Sequence, residues 1–262
     1  MLIVSNGAFK SGSTWLYNIL AEMIEASSPP QQYLHSGWVN PSIHRDQLAN
    51  FLSEVDFSSH IYLTKNHYSK QKQREQLLAH DNIYILDIER DIKDVLVSAY
   101  YHFLRLEDMA IDFDTYYWSE GRLVVNRIKN YHQLWAQPSP QIYVSSYLRL
   151  KQNFEAEVRE ISNFLGLALS SEAIQRVQTN TSLDSLRKKY GERGGKGVKA
   201  PPCKVSSDKI DFFRKGVVGQ WQDYLTPKIL ADVERVEQEG LTIFEKAVCK
   251  AKLRLFIRPK YC

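Results

Sequence analysis

The chain has 262 residues, 44% hydrophobic and 24% charged, which is the composition of a folded globular protein of one large or two small domains and excludes a disordered or fibrous chain. A net charge of +4 is too small to argue for nucleic acid by itself, and no apolar run approaches the roughly 18 residues of a membrane span. Cys203, Cys249 and Cys262 have no paired spacing, so neither a disulfide framework nor a zinc site is indicated. With no basic-then-apolar leader, a soluble cytoplasmic protein is expected.

Leu2-Ile3-Val4 predicts a first strand, followed by Ser5-Asn6-Gly7 and a helical spacing over residues 15–24. Residues 60–64 and 82–88 read as second and third strands, continuous apolar runs of the kind buried in a parallel sheet. Residues 91–103 and 124–135 have helical patterns, and residues 141–144 predict a fourth strand. A helix over residues 154–165 is stopped by Gly166, and Thr226-Pro227 supplies the N-cap and first position of another. This alternation predicts one α/β domain, three layers around a central parallel sheet.

Charge is informative where it gathers. Residues 187–209 hold eight lysines and arginines against two acidic residues, with Gly191, Gly194, Gly195, Gly197, Pro201 and Pro202 interspersed. A mobile basic loop able to cover an anionic ligand is expected there. Residues 244–262 form a second basic stretch, expected as an amphipathic helix packed on the domain, with weak attachment to an anionic membrane surface as the alternative.

Gly7-Ala8-Phe9-Lys10-Ser11-Gly12-Ser13-Thr14 lies between the first strand and the first helix, where backbone N–H groups and the helix dipole favour an anion. Gly7 and Gly12 have the interval of the triphosphate loop G-x-x-x-x-G-K-[ST], but Ser13 stands at the lysine position and Lys10 precedes the second glycine. Phe9-Lys10-Ser11-Gly12-Ser13-Thr14-Trp15-Leu16 closely resembles the P-K-S-G-T-T-W-L segment of sulfotransferases that use 3′-phosphoadenosine 5′-phosphosulfate (PAPS). The resemblance implies that Lys10, Ser11, Gly12, Ser13 and Thr14 hold the 5′-phosphosulfate, with Lys10 on the bridging oxygen or sulfuryl group. It also implies that Trp15 lies near the adenine. Phe9 replaces the more usual proline.

Three further segments are similar to the same family. The run from Arg90 through Phe103 resembles R-N-P-K-D-V-x-V-S-x-Y-Y-H-F, which implies that Arg90 and Ser98 bind the 3′-phosphate. Phe213-Arg214-Lys215-Gly216 and the following residues to Trp221 resemble R-K-G-x-x-G-D-W, implying a second grip on that phosphate, with Gln220 in place of Asp. Tyr147-Leu148-Arg149-Leu150 stands where the family has Y-E-D-L, and Thr181-Ser182-Leu183 where it has T-S-F. Tyr147, Thr181, Ser182 and Leu183 would then meet the adenosine, with Leu183 replacing the aromatic that stacks on the base. Thr64-Lys65-Asn66-His67 is similar to the family's K-x-H, in which the histidine is the general base and the lysine stabilises transferred charge.

The resemblance implies a P-loop-type fold, a short bacterial-type member of the cytosolic-type domain, and in-line sulfuryl transfer without a metal, releasing 3′,5′-bisphosphoadenosine (PAP). His67, Lys10, Lys65 and Ser98 would carry the chemistry. The acceptor is expected to be a small-molecule, lipid or sugar hydroxyl and not a nucleic acid. Tyr100, Tyr101, His102 and Phe103, with Phe113, Tyr116, Tyr117 and Trp118, are candidates to line its pocket. The family's dimer motif K-x-x-x-T-V-x-x-x-E fails at Thr226-Pro227, which leaves the oligomeric state open. A nucleotide-dependent kinase on the same loop, and a non-catalytic anion- or carbohydrate-binding module, are the alternative readings.

Overall fold

A computed structural model describes residues 1–36, 40–107, 111–194 and 215–256. In chain order the elements begin with β1 (Leu2–Gly7), α1 (Ser13–Met23), α2 (Leu48–Glu54), β2 (Tyr62–Lys65), α3 (Gln71–Leu78) and β3 (Ile83–Glu89). Next come α4 (Ile92–Glu107), α5 (Phe113–Tyr116), α6 (Arg122–Trp135), β4 (Ile142–Ser146), α7 (Tyr147–Gln152) and α8 (Phe154–Phe164). The last are α9 (Ser171–Asn180), α10 (Leu183–Gly194), α11 (Pro227–Glu239) and α12 (Ile243–Phe256). Two compact units result. One is built from Met1–Arg90 and the described part of His132–Val198, the other from Asp91–Tyr131 and the described part of Lys199–Cys262.

The first unit is a parallel sheet in the order β2-β1-β3-β4, with Leu2 level with Tyr62 on one side and Ile83 on the other. All six residues of β1 are buried, as a central strand covered on both faces requires. Ile3, Leu63, Leu86 and Ile88 join Leu16, Ile19 and Leu20 of α1, Phe154, Val158 and Ile161 of α8, and Ile174 and Val177 of α9 in one apolar cluster. Leu2, Val4, Ile83 and Ile85 alternate to the opposite face and are equally buried. This is the parallel α/β fold with flanking helices that the sequence predicts. The chain leaves β1, crosses to β2 on one side and then to β3 on the other, so β1 marks the switch point at which open α/β sheets bind ligands beyond their carboxyl ends.

Helices α2, α3, α7 and α9 escape the apolar pattern because they are short or mostly exposed. One correction is sharper. Residues 187–194, expected as the start of a mobile loop, continue helix α10. Side-chain anchoring overrides the glycines there: Leu186 is buried, Tyr190 Oη bonds Asn18 Nδ2 (2.8 Å) and Asn40 Oδ1 (2.7 Å), and Lys189 Nζ donates to Asn18 Oδ1. Residues 195–209 of the expected loop lie outside the described residues. Of the expected C-terminal helix, α12 accounts for the part to Phe256, and residues 257–262 lie outside the described residues too.

The carboxylate of Glu157, buried on α8, locks β4 to the helices that follow it. It accepts from Ser145 Oγ (2.8 Å), from Tyr143 Oη (3.3 Å) and from Arg149 Nε (2.6 Å). Arg149, standing in the family's aspartate position, thus serves the fold.

The second unit is helical. Half of its expected pocket aromatics belong to its core: Tyr100, Phe113, Tyr116 and Tyr117 are buried, with the Tyr100 ring 5.3 Å from Phe113 and 5.2 Å from Tyr116. Their edge-to-face and tilted packing is the ordinary way such rings fill an interior. Tyr101, His102, Phe103 and Trp118 remain half-buried. Replacing Glu157 with alanine should lower the unfolding free energy in urea by about 2 kcal/mol, less than for a fully buried pair because Arg149 can rehydrate.

Candidate active site

The loop from Gly7 to Gly12 turns back tightly on itself, with the Ser11 N–H and hydroxyl both donating to the Ala8 carbonyl at 3.1 and 2.7 Å. Two residues take left-handed backbone angles: Lys10 at φ 65° and Gly12 at φ 111°. Gly12 has a second reason to be glycine, because a Cβ there would stand 2.8 Å from the Tyr147 ring. Lys10 has no such freedom, and a strained non-glycine residue of this kind belongs to sites where the side chain must be aimed. Helix α1 begins at Ser13, two residues earlier than the sequence pattern predicts, so Ser13 and Thr14 occupy its first turn. No side chain caps this start and no acidic residue lies in the turn, which leaves the positive end of the dipole to an anion.

His67 follows β2 at the same end of the sheet. Its Nδ1 lies 2.6 Å from the Gly7 carbonyl oxygen, which can only accept, so Nδ1 carries the proton. The Nε2 lone pair is therefore the basic one, and Lys65 Nζ donates to it at 2.9 Å. Burial, then the Lys65 charge, depress the imidazole pKa to about 3; the Gly7 bond opposes this, and Arg45 and Lys10 add to it. Lys65 is buried as well, and burial lowers its pKa to about 8. A neutral base and a cation close to its deprotonation point thus share one hydrogen bond.

Two asparagines hold this geometry, and no motif singled them out. Asn6 at the end of β1 accepts from the Tyr68 N–H (3.0 Å) and donates to Asp87 on β3 (3.1 Å). Asn66 accepts from Thr64 Oγ1 (2.8 Å) and donates to the Ile43 carbonyl (2.9 Å). Both are fully or almost fully buried, so they clamp the histidine turn from either side. Alternating polar residues inside otherwise apolar strand ends were the available signal.

Beyond β3, the Arg90 guanidinium stacks over the Tyr147 ring at 4.3 Å. The same ring packs edge-on against Trp15 at 5.3 Å and closes over Gly12. Lys151, one helical turn after Tyr147, lies 5.8 Å from the Trp15 ring. Tyr147 thereby joins the loop and the adjoining tryptophan to the arginine, which sequence order alone does not.

A sulfotransferase domain profile matches residues 2–245. The chain belongs to the sulfotransferase family. It is 26% identical over 257 residues to cytosolic sulfotransferase 7 of Arabidopsis thaliana, covering 88% of this chain and 76% of that protein. Mouse sulfotransferase SULT7A1 complexed with PAP superposes with a TM-score of 0.64 at 17% identity, covering 94% of this chain and 87% of the other. Retinol dehydratase in complex with androsterone and inactive cofactor PAP gives a TM-score of 0.61 at 16% identity, covering 92% and 81%. These likenesses show a shared fold.

The remaining sulfotransferase signature residues distribute unevenly. Thr181 is buried at the end of α9, where its hydroxyl donates to the Val177 carbonyl (2.7 Å) and so caps that helix. Ser182 is exposed, Leu183 half-buried. In the second unit, half-buried Ser98 lies on α4, where Asp94 accepts from the Gly219 N–H (2.9 Å) and Lys93 stacks on Trp221 (5.0 Å). The segments containing Ser98 and Gly216 are therefore neighbours within that unit. Lys215 is exposed and Gly216 has φ 62°. Phe213 and Arg214 lie outside the described residues. Among the described residues, no three His, Cys, Asp or Glu side chains gather as a metal site. No helix among them is long and apolar enough to cross a membrane.

Gly12→Ala should destabilise the fold by about 1–3 kcal/mol, through the left-handed backbone and the Tyr147 clash. Urea denaturation measures this, and the variant should lose PAP binding in calorimetry at temperatures where it is still folded.

Proposed function

We propose that the chain transfers a sulfuryl group from PAPS to the hydroxyl of a small-molecule acceptor, with His67 as general base. The observation that carries this reading is the pair of bonds on one imidazole: Nδ1 to the Gly7 carbonyl and Nε2 toward Lys65. The first sets the tautomer whose Nε2 can take a proton. The second lays a cation beside the point of transfer.

The donor supplies an activated sulfur with a phosphate leaving group. The uncapped start of α1, with Lys10, Ser13 and Thr14, has the charge and free N–H groups to receive its phosphosulfate. Trp15, Tyr147 and Arg90 offer stacking surface and a guanidinium for the nucleoside and its 3′-phosphate. For Ser98, Phe213, Arg214, Lys215 and Gly216 the assignment to that phosphate rests on sequence resemblance, as does the adenosine assignment of Thr181, Ser182 and Leu183.

In the reaction, His67 Nε2 takes the acceptor's hydroxyl proton as its oxygen bonds to sulfur. The bond from sulfur to the bridging oxygen breaks, and the negative charge left on the phosphate is met by Lys10 and Lys65. Lys65 has to leave Nε2 for the acceptor to reach it. Sulfuryl oxygens offer its ammonium a stronger partner than a neutral imidazole, so donor binding itself clears the base. Androsterone, present in the retinol dehydratase complex, exemplifies the acceptor class: a compact molecule with an alcohol. The kinase reading is disfavoured by the loop, in which Ser13 stands where a triphosphate-binding lysine would begin the helix.

Thermal melting tests donor recognition: PAP should stabilise the chain and ATP with magnesium should not, and the reverse would reject the reading. His67→Ala should reduce label transfer from PAPS to a panel of phenols and alcohols about 10²–10⁴-fold with PAP affinity retained. Undiminished transfer would remove His67 from the mechanism.

The pH profile is a separate check. His67 is already neutral where an unperturbed imidazole titrates, about 6.5, so kcat/KM for PAPS should show no acid-side fall there. Lys65 loses its proton as pH rises through about 8, so the profile should fall on that side. Lys65→Arg should abolish this alkaline limb.

A further inference from the structure

The family match ends at residue 245, so α12 (Ile243–Phe256) lies almost wholly beyond it. One side of this helix is firmly anchored in the second unit. Glu245 accepts from Arg122 (2.6 Å) and Arg235 (2.7 Å), closes a capping box with Thr242, and Cys249 one turn on is fully buried. At 100° per residue, Ile243, Phe244, Ala247 and Ala251 fall on the opposite side. All four are exposed, Ile243 by 88% and Phe244 by 77%. Exposed Lys250 and Arg254 share this side of the helix, Arg254 falling between Ile243 and Ala247 around the axis. Glu245, the helix's one acidic residue, faces inward to its arginines, so the outward side carries apolar groups and positive charge only.

We propose that this outward face of α12 docks on an anionic lipid surface, with Ile243 and Phe244 entering the interface and Lys250 and Arg254 meeting phosphate-bearing headgroups. Three features select that occupant. The apolar stripe is a ridge on a convex helix floored with alanine, which a fluid interface accommodates without a matching pocket. The helix is about 21 Å long, too short to span a bilayer and suited to lying along it. A second copy of the chain, docked two-fold on this face, would bring together two helix faces that both carry positive charge and no acidic residue of α12. The proposal is independent of the sulfuryl-transfer reading, because no residue of the candidate active site takes part.

The test is co-sedimentation of the full chain with phosphatidylcholine vesicles, with and without phosphatidylserine, at low and high salt. Binding should require phosphatidylserine and weaken with salt. The double variants Ile243→Ser with Phe244→Ser, and Lys250→Gln with Arg254→Gln, alter exposed side chains, and circular dichroism and melting confirm that they remain folded. Each should cut vesicle binding tenfold or more. Absence of binding by the folded parent chain overturns the proposal, as does undiminished binding by the apolar double variant. So does a dimer in sedimentation velocity that this variant abolishes without any vesicle binding, which would assign the face to a second copy.

Discussion

The hydrogen bond from His67 Nδ1 to the Gly7 carbonyl joins the end of β2 to the start of the glycine loop, and the geometry around the imidazole depends on it. A backbone carbonyl cannot donate, so this contact alone chooses the tautomer and exposes the basic Nε2. It forms only if two parallel strands, sixty residues apart in the chain, end level with one another. The register of Leu2 with Tyr62 and Ser5 with Lys65 supplies that level. Asn6 and Asn66 hold the turn in place with buried amides, a rigid way to fix the orientation of the imidazole.

Tyr147 plays the corresponding part on the other side of the loop. Its ring meets Gly12, Trp15 and Arg90 at once, so the glycine loop, the indole and the guanidinium share one rigid contact. Gly12 is needed there twice over, for its left-handed backbone and for the space the ring occupies. Lys65 and His67 show the opposite economy: burial depresses the basicity of both, and the neighbouring Lys65 charge lowers the imidazole further.

Several features were legible before any coordinates. The strand-loop-helix around Lys10, the strand ending before His67 and the strand ending just before Arg90 follow from short apolar runs followed by polar turns, because a buried parallel strand tolerates little else. Helix α10 and the aromatics of the second unit were not. Gly191 and Gly194 read as loop, yet Leu186 is buried, and Lys189 and Tyr190 carry the helix onto Asn18 and Asn40 by contacts spanning some 150 residues or more. Tyr100, Phe113 and Tyr116 read as pocket lining, yet they pack on one another, since aromatic content in a sequence does not say which face of a ring will meet water.

The family and the order of strands and helices around the Gly7–Gly12 loop could be read from the sequence, because these are properties of local pattern and residue chemistry. Which nitrogen of His67 is basic, that Tyr147 ties the glycine loop and Trp15 to Arg90, and which side of α12 looks outward emerge only on folding. Each of those outcomes depends on partners far apart along the chain, and a hydrogen bond or a buried face has no existence until folding brings its two halves together.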